Sequence, residues 1–384
     1  AKQKAKTTKP RRKEELIHMK FTVEKRLLNE AVTNLQRAVS SKTSIPALEG
    51  ILIRSEENRL ILTAYDLEIG MQTELPAVIS APGTIILTAK LFAEIVRRSP
   101  DEDITIDVDD RNTATITSGV SCFTIIGMDS AEFPELPKIT DADTIKMPQE
   151  LLKSMIRQTL FAVADSTAKP IHQGSLFKIE SGNLDVVSVD GYRLALRREA
   201  INYANNTEFV VPGKTLTEVS KILSGETDDD VRIFFTTNHI VFEFEETIVV
   251  SRLIEGEYFR IDQMLSSDYE TKITVNKREL LSCIDRATLL VKEGDKKPII
   301  IHITDGSMEL KINSQIGSMK EDIDIEKEGK DILIGFNPRF LMDALRVIDD
   351  ETVDIYLVNP KAPCFIRDDK ETYTYLILPV NFTA

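Results

Sequence analysis

The stretch that decides the fold is Lys20–Val39, which reads KFTVEKRLLNEAVTNLQRAV. Apolar residues recur in it near helical spacing, at Val23, Leu28, Val32, Leu35 and Val39. The stretch therefore predicts a short strand that runs into an amphipathic helix with one apolar stripe against a core. The opposite face of the helix carries the cations Lys25, Arg26 and Arg37.

The same pattern occurs twice more without a gap, at Met147–Val163 and Val275–Val291. The corresponding positions are Val23, Met147 and Val275, then Leu28, Leu152 and Leu280, then Val32, Ile156 and Ile284, then Val39, Val163 and Val291. A period of roughly 125 residues is too long for a solenoid unit and is typical of similar domains in series.

Each third of the chain also predicts a second strand and helix, in which Ala89, Gly213 and Asn337 hold the same place, 124 residues apart. Strands are predicted after both helices, so each domain consists of two similar halves. We expect a basic extension over residues 1–18, followed by domains over 19–143, 144–270 and 271–384. The extension is predicted to be disordered or a cloning remnant, and a basic arm that touches nucleic acid is the alternative.

Composition narrows the class of protein. Of the 384 residues, 42 % are hydrophobic, which is typical of a soluble globular chain. No apolar run is long enough for a membrane helix, and no apolar segment of a signal peptide follows the first charges. The three cysteines are odd in number and far apart, which favours free thiols in a reducing cytosol. We therefore expect a cytoplasmic protein.

The charge is distributed unevenly between elements. The net charge is −14, which taken alone argues against a nucleic-acid partner. The six predicted helices and their flanks, however, hold 17 Lys and Arg against eight Asp and Glu. If all six helices share one face, that face is positive and suits a polyanion. The alternative is a set of ordinary solvated helix faces.

Catalytic motifs are weak throughout the sequence. The four histidines are isolated, and Pro212–Thr215 resembles the end of a phosphate loop but has Glu208 where the upstream glycine belongs. The acidic runs Asp107–Asp110 and Asp228–Asp230 are more typical of turns and strand ends than of metal ligands. We expect no enzyme, no cofactor and no metal. The rival hypothesis is a metal-dependent phosphodiesterase that uses the acidic runs.

Several segments, in their order and spacing, resemble the bacterial sliding clamp family, the beta subunit of DNA polymerase III. These segments are Met19–Lys25, Ser44–Leu48, Glu132–Pro134, Asp190–Leu194 and Tyr375–Val380. The resemblance spans about residues 19–384. It implies an α+β DNA-clamp fold, in which two protomers join head to tail into a ring of six domains with helices lining the hole.

The resemblance also implies the function of a processivity factor. The ring would enclose double-stranded DNA without reading its sequence and tether its partners through a peptide-binding groove. Those partners are the DNA polymerase III catalytic subunit, the clamp loader, other polymerases and repair proteins, each bound through a short linear motif. The alternative is a peptide-binding scaffold that does not encircle DNA.

Three sets of residues follow for this sequence. The groove residues are His172, Gly191, Tyr192, Arg193, Leu194, Met264, Pro363, Leu376, Leu378, Pro379 and Val380. The DNA-facing residues are Lys25, Arg26, Arg37, Lys42, Arg97, Lys153, Arg157, Lys214, Lys221, Lys277 and Arg286. The residues of the dimer interface are Phe123, Ile125, Leu289 and Leu290. The sequence departs from the family pattern at His172, Phe259 and Asn381, so the preferred peptide is expected to differ.

Overall fold

The computed structural model describes residues 19–40, 43–165, 169–226, 229–291, 297–368, 370 and 372–382. The extension predicted over residues 1–18 lies outside these ranges. The chain forms two compact units. The first comprises the described residues up to Lys138 together with Glu245–Val250, and the second comprises Ile139–Phe244 and Ser251 onward.

Six α-helices occur in the described residues, at the six places that the periodicity predicts. They are α1 (Lys25–Leu35), α2 (Ala89–Arg98), α3 (Gln149–Thr159), α4 (Gly213–Ile222), α5 (Lys277–Thr288) and α6 (Pro338–Val347). The helix α5 is capped by the side chain of Asn276, which accepts a hydrogen bond from the Glu279 N–H at 3.0 Å. Asn337 caps α6 in the same way, so this helix begins one residue later than the equivalence with Ala89 and Gly213 predicts.

The first unit contains two sheets. Its strands are β1 (Met19–Glu24), β2 (Gly50–Glu56), β3 (Arg59–Tyr65), β4 (Ile69–Pro76), β5 (Val78–Ala81), β6 (Gly83–Thr88), β7 (Asp103–Val108), β8 (Thr113–Ser118) and β9 (Ser121–Ile126). One sheet has the order β5-β1-β7-β8-β9, and the other contains the run β4-β3-β2-β6. The strand β1 lies within a sheet, and α1 begins at the residue after it, as the stretch Lys20–Val39 predicts.

The remaining strands follow the same plan twice. They are β10 (Asp143–Pro148), β11 (Gly174–Glu180), β12 (Asn183–Val189), β13 (Arg193–Ala200), β14 (Thr207–Pro212), β15 (Asp230–Phe235), β16 (His239–Phe244), β17 (Thr247–Arg252), β18 (Thr271–Asn276), β19 (Ile299–Thr304), β20 (Ser307–Ser314), β21 (Gly317–Gly329), β22 (Ile332–Phe336), β23 (Thr352–Leu357), β24 (Cys364–Arg367) and β25 (Tyr373–Ile377). The sheet that dominates the second unit has the order β14-β11-β12-β13-β25-β24-β23-β18-β21-β20-β19-β22.

The repeated apolar positions of the helices form the cores. Leu28, Leu152 and Leu280 are at most 1 % exposed, and their partners one turn later are equally buried. Val39, Val163 and Val291, which end each copy of the pattern, lie beyond the helices and are half-buried. The repeat seen in the sequence is thus a repeat of packing. Within the described residues, no helix is long and apolar enough to cross a membrane.

Candidate functional site

The largest group of predicted groove residues surrounds a cavity of about 540 Å³ in the second unit. The residues that line it are Ala164, Lys169, His172, Val189, Asp190, Gly191, Tyr192, Arg193, Phe259, Met264, Leu376 and Leu378. Seven of the eleven predicted groove residues are among them. The structure therefore brings together residues that are up to about 200 positions apart in the sequence.

The pairing of β13 with β25 builds the cavity. Leu194 lies opposite Leu376 in this antiparallel pair, and the Leu378 N–H donates to the Tyr192 carbonyl at 2.9 Å just past the end of the ladder. A buried apolar cluster that contains Leu194 and Leu376 supports the site, and Met264 and Leu378 pack against that cluster. The cavity thus has an apolar base that suits apolar peptide side chains.

A tight turn at Asp190–Arg193 forms one wall. One oxygen of the Asp190 side chain accepts from the backbone N–H groups of Tyr192 and Arg193, at 2.9 and 3.1 Å. Gly191 has φ +95°, a region that side chains with a Cβ rarely adopt. The turn leaves the Tyr192 ring 62 % exposed beside the cavity.

Arg193 lines the cavity but directs its charge inward. Its side chain is only 10 % exposed. Its guanidinium donates to Asp190 at 2.8 Å, to Asp343 at 2.6 Å and to the Phe161 carbonyl at 2.8 Å. Burial disfavours its charge, but the hydrogen bond to Asp343 and the neighbouring acidic groups outweigh burial and raise the pKa of Arg193. This arginine is therefore fixed by the fold.

His172 is an ionisable residue that lines the cavity close to Lys169 and Asp190. It is 8 % exposed, and its ring meets the Tyr258 ring edge-on, with 5.6 Å between the centroids. Burial lowers the pKa of His172, the charge of Lys169 lowers it further, and Asp190 opposes both. The neutral imidazole is thus the favoured form, and it is the form compatible with an apolar ligand.

Four predicted groove residues do not line the cavity. Leu194 is fully buried beneath it. Pro363 directly precedes β24, Pro379 and Val380 follow β25, and all three are half-buried. The Val380 N–H donates to the Gly335 carbonyl at 2.8 Å. Sequence reasoning left Phe259 out of the groove, although its departure from the family pattern had marked it. It also missed Ala164, Lys169, Val189 and Asp190, of which Asp190 begins the Asp190–Leu194 motif.

Three of the predicted DNA-facing lysines cap helices within the fold. The Lys25 ammonium donates to the Ser99 carbonyl at 2.6 Å, and the Lys277 ammonium donates to the Ile348 carbonyl at 2.6 Å. Lys153 donates to the Leu223 carbonyl at 2.9 Å. Each acceptor is the C-cap residue of the second helix in its repeat, where carbonyl groups lack partners and a cation is favoured. These lysines therefore have a structural role.

Other predicted cations are exposed and pair with nearby acids. Arg26 pairs with Glu24, Arg97 with Glu94, Lys221 with Glu218 and Arg286 with Glu321. Pairs this exposed contribute little stability, so the cations can exchange partners with a phosphate. Lys214 is also exposed and Arg37 is half-buried.

Arg157 makes a longer-range contact, because it donates to the Val347 carbonyl at 3.1 Å and to Asp349 at 2.7 Å. Its partners lie in the third repeat, so it ties the second repeat to the third. Lys42 falls outside the described residues.

The predicted interface residues lie beside strand edges. β9 carries Phe123 and Ile125 and is the last strand of its sheet in the described structure. Leu289 follows α5 and is 78 % exposed. The side chain of Leu290 lies close to Gly317, at the start of β21. Sequence reasoning missed three further apolar side chains that are more than half exposed close to these edges: Val120, Ile126 and Ile316.

The acidic runs act as local structure where they are described. Asp109 accepts from the backbone N–H groups of Arg111 and Thr113, and these bonds lower the pKa of its carboxyl. Asp107 pairs with Lys20, and Asp230 pairs with Lys146. No group of three or more His, Cys, Asp or Glu that could hold a metal ion occurs in the parts of the chain that the structure describes.

Comparison with known proteins decides the family. Residues 19–137, 146–259 and 262–381 match the N-terminal, central and C-terminal domains of the DNA polymerase III beta subunit, in that order. The chain belongs to this family, the bacterial sliding clamps. Its fold is the three-domain α+β clamp fold, and the family acts as a non-catalytic processivity factor of DNA replication.

Relatives of this clamp match it over nearly its full length. The beta sliding clamp of Bacillus subtilis strain 168 is 36 % identical over 377 residues, which cover 94 % of this chain and 100 % of the relative. The crystal structure of the Bacillus subtilis clamp superposes with a TM-score of 0.92 and covers 95 % of this chain and 100 % of that one. A crystal structure from Eubacterium rectale ATCC 33656, described as a DNA polymerase III beta subunit, is 54 % identical, with the same TM-score and coverage.

Proposed function

We propose that two copies of this chain close head to tail into a ring that encircles duplex DNA and recruits replication and repair proteins through the groove. The groove would take short peptides from the DNA polymerase III catalytic subunit, the clamp loader and other polymerases. The chain would act in the cytoplasm, without catalysis of its own. Domain bounds of 19–143, 144–270 and 271–384 form part of this proposal.

The proposal of a ring rests on the strand register of the repeats. Residues that lie opposite one another on successive strands form a row across each sheet. In the first repeat one row runs through Phe21, Ile106, Ile116 and Phe123. In the third repeat the equivalent row runs through Ile273, Ile355, Ile366 and Tyr375. Phe21 and Ile273 hold the same place, two residues before Val23 and Val275. Phe123 at the edge of the first repeat therefore corresponds to Tyr375.

Tyr375 has a partner in the next repeat along the sheet, which Phe123 lacks among the described residues. Tyr375 pairs with Ala195 on β13, and Ala195 corresponds to Met319 on β21, 124 residues later. The first part of β21, from Gly317 to Asp324, pairs on one side with β20 and has no described strand on the other. An unpaired edge of this kind is a template for another chain.

The equivalence of the repeats sets the register of the proposed ring junction. Phe123 of one protomer would lie opposite Met319 of its partner, and Cys122 would lie opposite Lys320. Opposed residues of an antiparallel pair have Cα atoms about 4.5–5.5 Å apart, within the range of about 4.4–6.8 Å that a disulfide spans. The Lys320→Cys variant should therefore form an intersubunit disulfide with the native Cys122 and run at twice the 43.2 kDa of one chain without reductant.

Two controls accompany this crosslink. Lys320→Cys combined with Cys122→Ser must stay monomeric in the denaturing gel, and Asp324→Cys, four residues along the same strand, must not crosslink to Cys122. Crosslinking by Asp324→Cys but not by Lys320→Cys would show that the register is wrong.

Retention on DNA tests the encirclement. After loading, the ring should stay on closed circular DNA in high salt and leave when the circle is cut, because the link is topological rather than electrostatic. Retention on the linear product contradicts the proposal.

A second candidate is a scaffold that binds peptides without enclosing DNA. The observation that favours it is the engagement of Lys25, Lys153 and Lys277 in helix caps, which removes three of the cations expected to face DNA. Under this candidate, charge reversal of the exposed helix cations leaves clamp-dependent DNA synthesis unchanged.

A further inference from the structure

Arg193 joins the groove to a helix of the next repeat. Its guanidinium stacks over the Phe340 ring, with 4.2 Å from the guanidinium carbon to the ring centroid, and also donates to Asp343. Phe340 and Asp343 are three residues apart in α6, so they lie on one face of that helix. Neither residue lines the cavity.

We propose that Asp343 is a positioning residue of the groove, which holds Arg193 and thereby fixes the Asp190–Arg193 wall against which a peptide binds. The inference rests on the proposed peptide-binding function and adds to it a requirement. A groove whose wall belongs to the second repeat depends on a carboxylate from the third.

The contacts of Arg193 explain why a distant carboxylate reaches the wall. Asp190 uses one oxygen to accept the backbone N–H groups of the turn and the other to accept the Arg193 Nε–H. A shift of the guanidinium therefore pulls on the carboxylate that shapes the turn. Tyr192 moves with the turn, and its carbonyl accepts the hydrogen bond from Leu378 on the opposite wall.

Loss of Asp343 would leave a buried cation short of a partner. Arg193 is 10 % exposed, so an unpaired N–H there lacks water as a substitute. The guanidinium would then turn toward solvent and draw the Asp190–Arg193 wall with it. Asp343→Asn keeps the size of the side chain and one acceptor oxygen but removes the charge that pairs with Arg193, so the contact with the buried guanidinium is weakened.

Asp349 supplies a matched control, because it joins the same two repeats without touching the cavity. Its carboxylate accepts from Arg157 at 2.7 Å, and its side chain is 72 % exposed. Asp349→Asn therefore removes one carboxylate from the same junction between the repeats. A general loosening of this junction would affect both variants alike.

The test measures binding of a C-terminal peptide of the DNA polymerase III catalytic subunit by calorimetry, using the full-length protein. We expect Asp343→Asn to weaken the peptide Kd about tenfold, Asp349→Asn to leave it within twofold, and Asp343→Glu to recover part of the loss. Equal affinity in Asp343→Asn and the unmodified chain overturns the inference, and so does an equal loss in Asp349→Asn. Failure of the unmodified chain to bind counts instead against the proposed peptide-binding function.

A second readout does not need the peptide. The Arg193 Nε–H should exchange slowly with solvent and give a separate nitrogen–proton NMR signal, because it is buried and bonded to Asp190. In Asp343→Asn we expect faster exchange of this proton and shifted Tyr192 ring signals, with an unchanged mass in solution. An unchanged Arg193 signal overturns the inference even where peptide affinity falls.

Discussion

Arg193 of the groove and the exposed arginines of the helix faces are held in opposite ways. Arg193 is nearly buried, and three separate acceptors fix its guanidinium. Arg26 and Arg97 are more than 60 % exposed, and each pairs with a glutamate two or three residues away. A fixed cation shapes a surface for a specific ligand, whereas a loosely paired cation can pass from one phosphate to the next. The difference fits the proposed function, in which the groove holds a peptide tightly and the helix faces let DNA slide.

The largest expected effect is on the groove. Leu378→Asp places a carboxylate among the apolar residues that line the cavity, where a buried charge without a partner is strongly disfavoured. We expect peptide affinity to fall at least about 100-fold, or roughly 3 kcal/mol. Calorimetry with the polymerase peptide measures the loss, and sizing checks that the assembly is intact.

The control for this variant is Leu333→Asp, which introduces the same charge at a leucine that is 39 % exposed on β22. Its affinity should match that of the unmodified chain. If Leu378→Asp still binds the peptide, the peptide binds to another surface. The contrast between the groove and the exposed helix cations would then no longer hold.

Charge reversal of the exposed helix cations tests the other side of the comparison. Arg26→Glu, Arg97→Glu and Arg286→Glu together should lower DNA affinity about tenfold or more and reduce its salt dependence, because fewer counterions are released. The peptide Kd should not change. Fluorescence anisotropy with a DNA duplex at several salt concentrations gives both quantities.

The matched control reverses three exposed cations on sheet strands or their turns, at Arg232, Lys311 and Lys330. It changes the net charge by the same amount. An equal loss of DNA affinity in the control would mean that net charge, rather than the helix face, governs binding.

The sequence predicts the secondary-structure elements far better than it predicts the hydrogen-bond partners of polar side chains. The helical period located all six helices, because burial of the Leu28, Leu152 and Leu280 positions depends on local spacing. The role of Lys277 could not be predicted, since the carbonyl that it caps lies 71 residues away.

The same limit applies to the candidate groove. The Asp190–Leu194 motif marked one wall, because the residues of a tight turn are adjacent in the sequence. Asp343 is 150 residues from Arg193, and only the folded chain brings them together. Val189 and Ala164 line the cavity as ordinary apolar residues, which carry no signal in the sequence.

A smaller effect, on stability, distinguishes lysines that cap helices from exposed cations that can contact DNA. Lys277→Met keeps the apolar stem but removes the donor to the Ile348 carbonyl, so we expect a loss of about 1–2 kcal/mol in the free energy of unfolding. Arg286→Met should cost clearly less than Lys277→Met, because exposed ion pairs contribute little to stability. Urea unfolding followed by circular dichroism compares the two. Equal losses would contradict the assignment of Lys277 as a cap.

The smallest expected effect concerns His172, which lines the groove. The folded state lowers the pKa of His172 below its ordinary 6.5, so the imidazole is neutral above pH 6.5 and takes up a proton only as the pH falls below that value. A bound apolar peptide covers the ring further and disfavours that proton. Peptide affinity should therefore be constant above pH 6.5 and fall by a few fold as the pH drops toward 5, where the charges of Lys169 and Asp190 partly offset each other. His172→Leu should give a flat profile with a peptide that has no group titrating in this range. If peptide affinity in the variant still falls with pH as in the unmodified chain, another group takes up the proton. His172 would then stay neutral over this range, and the groove would carry no charge at that position.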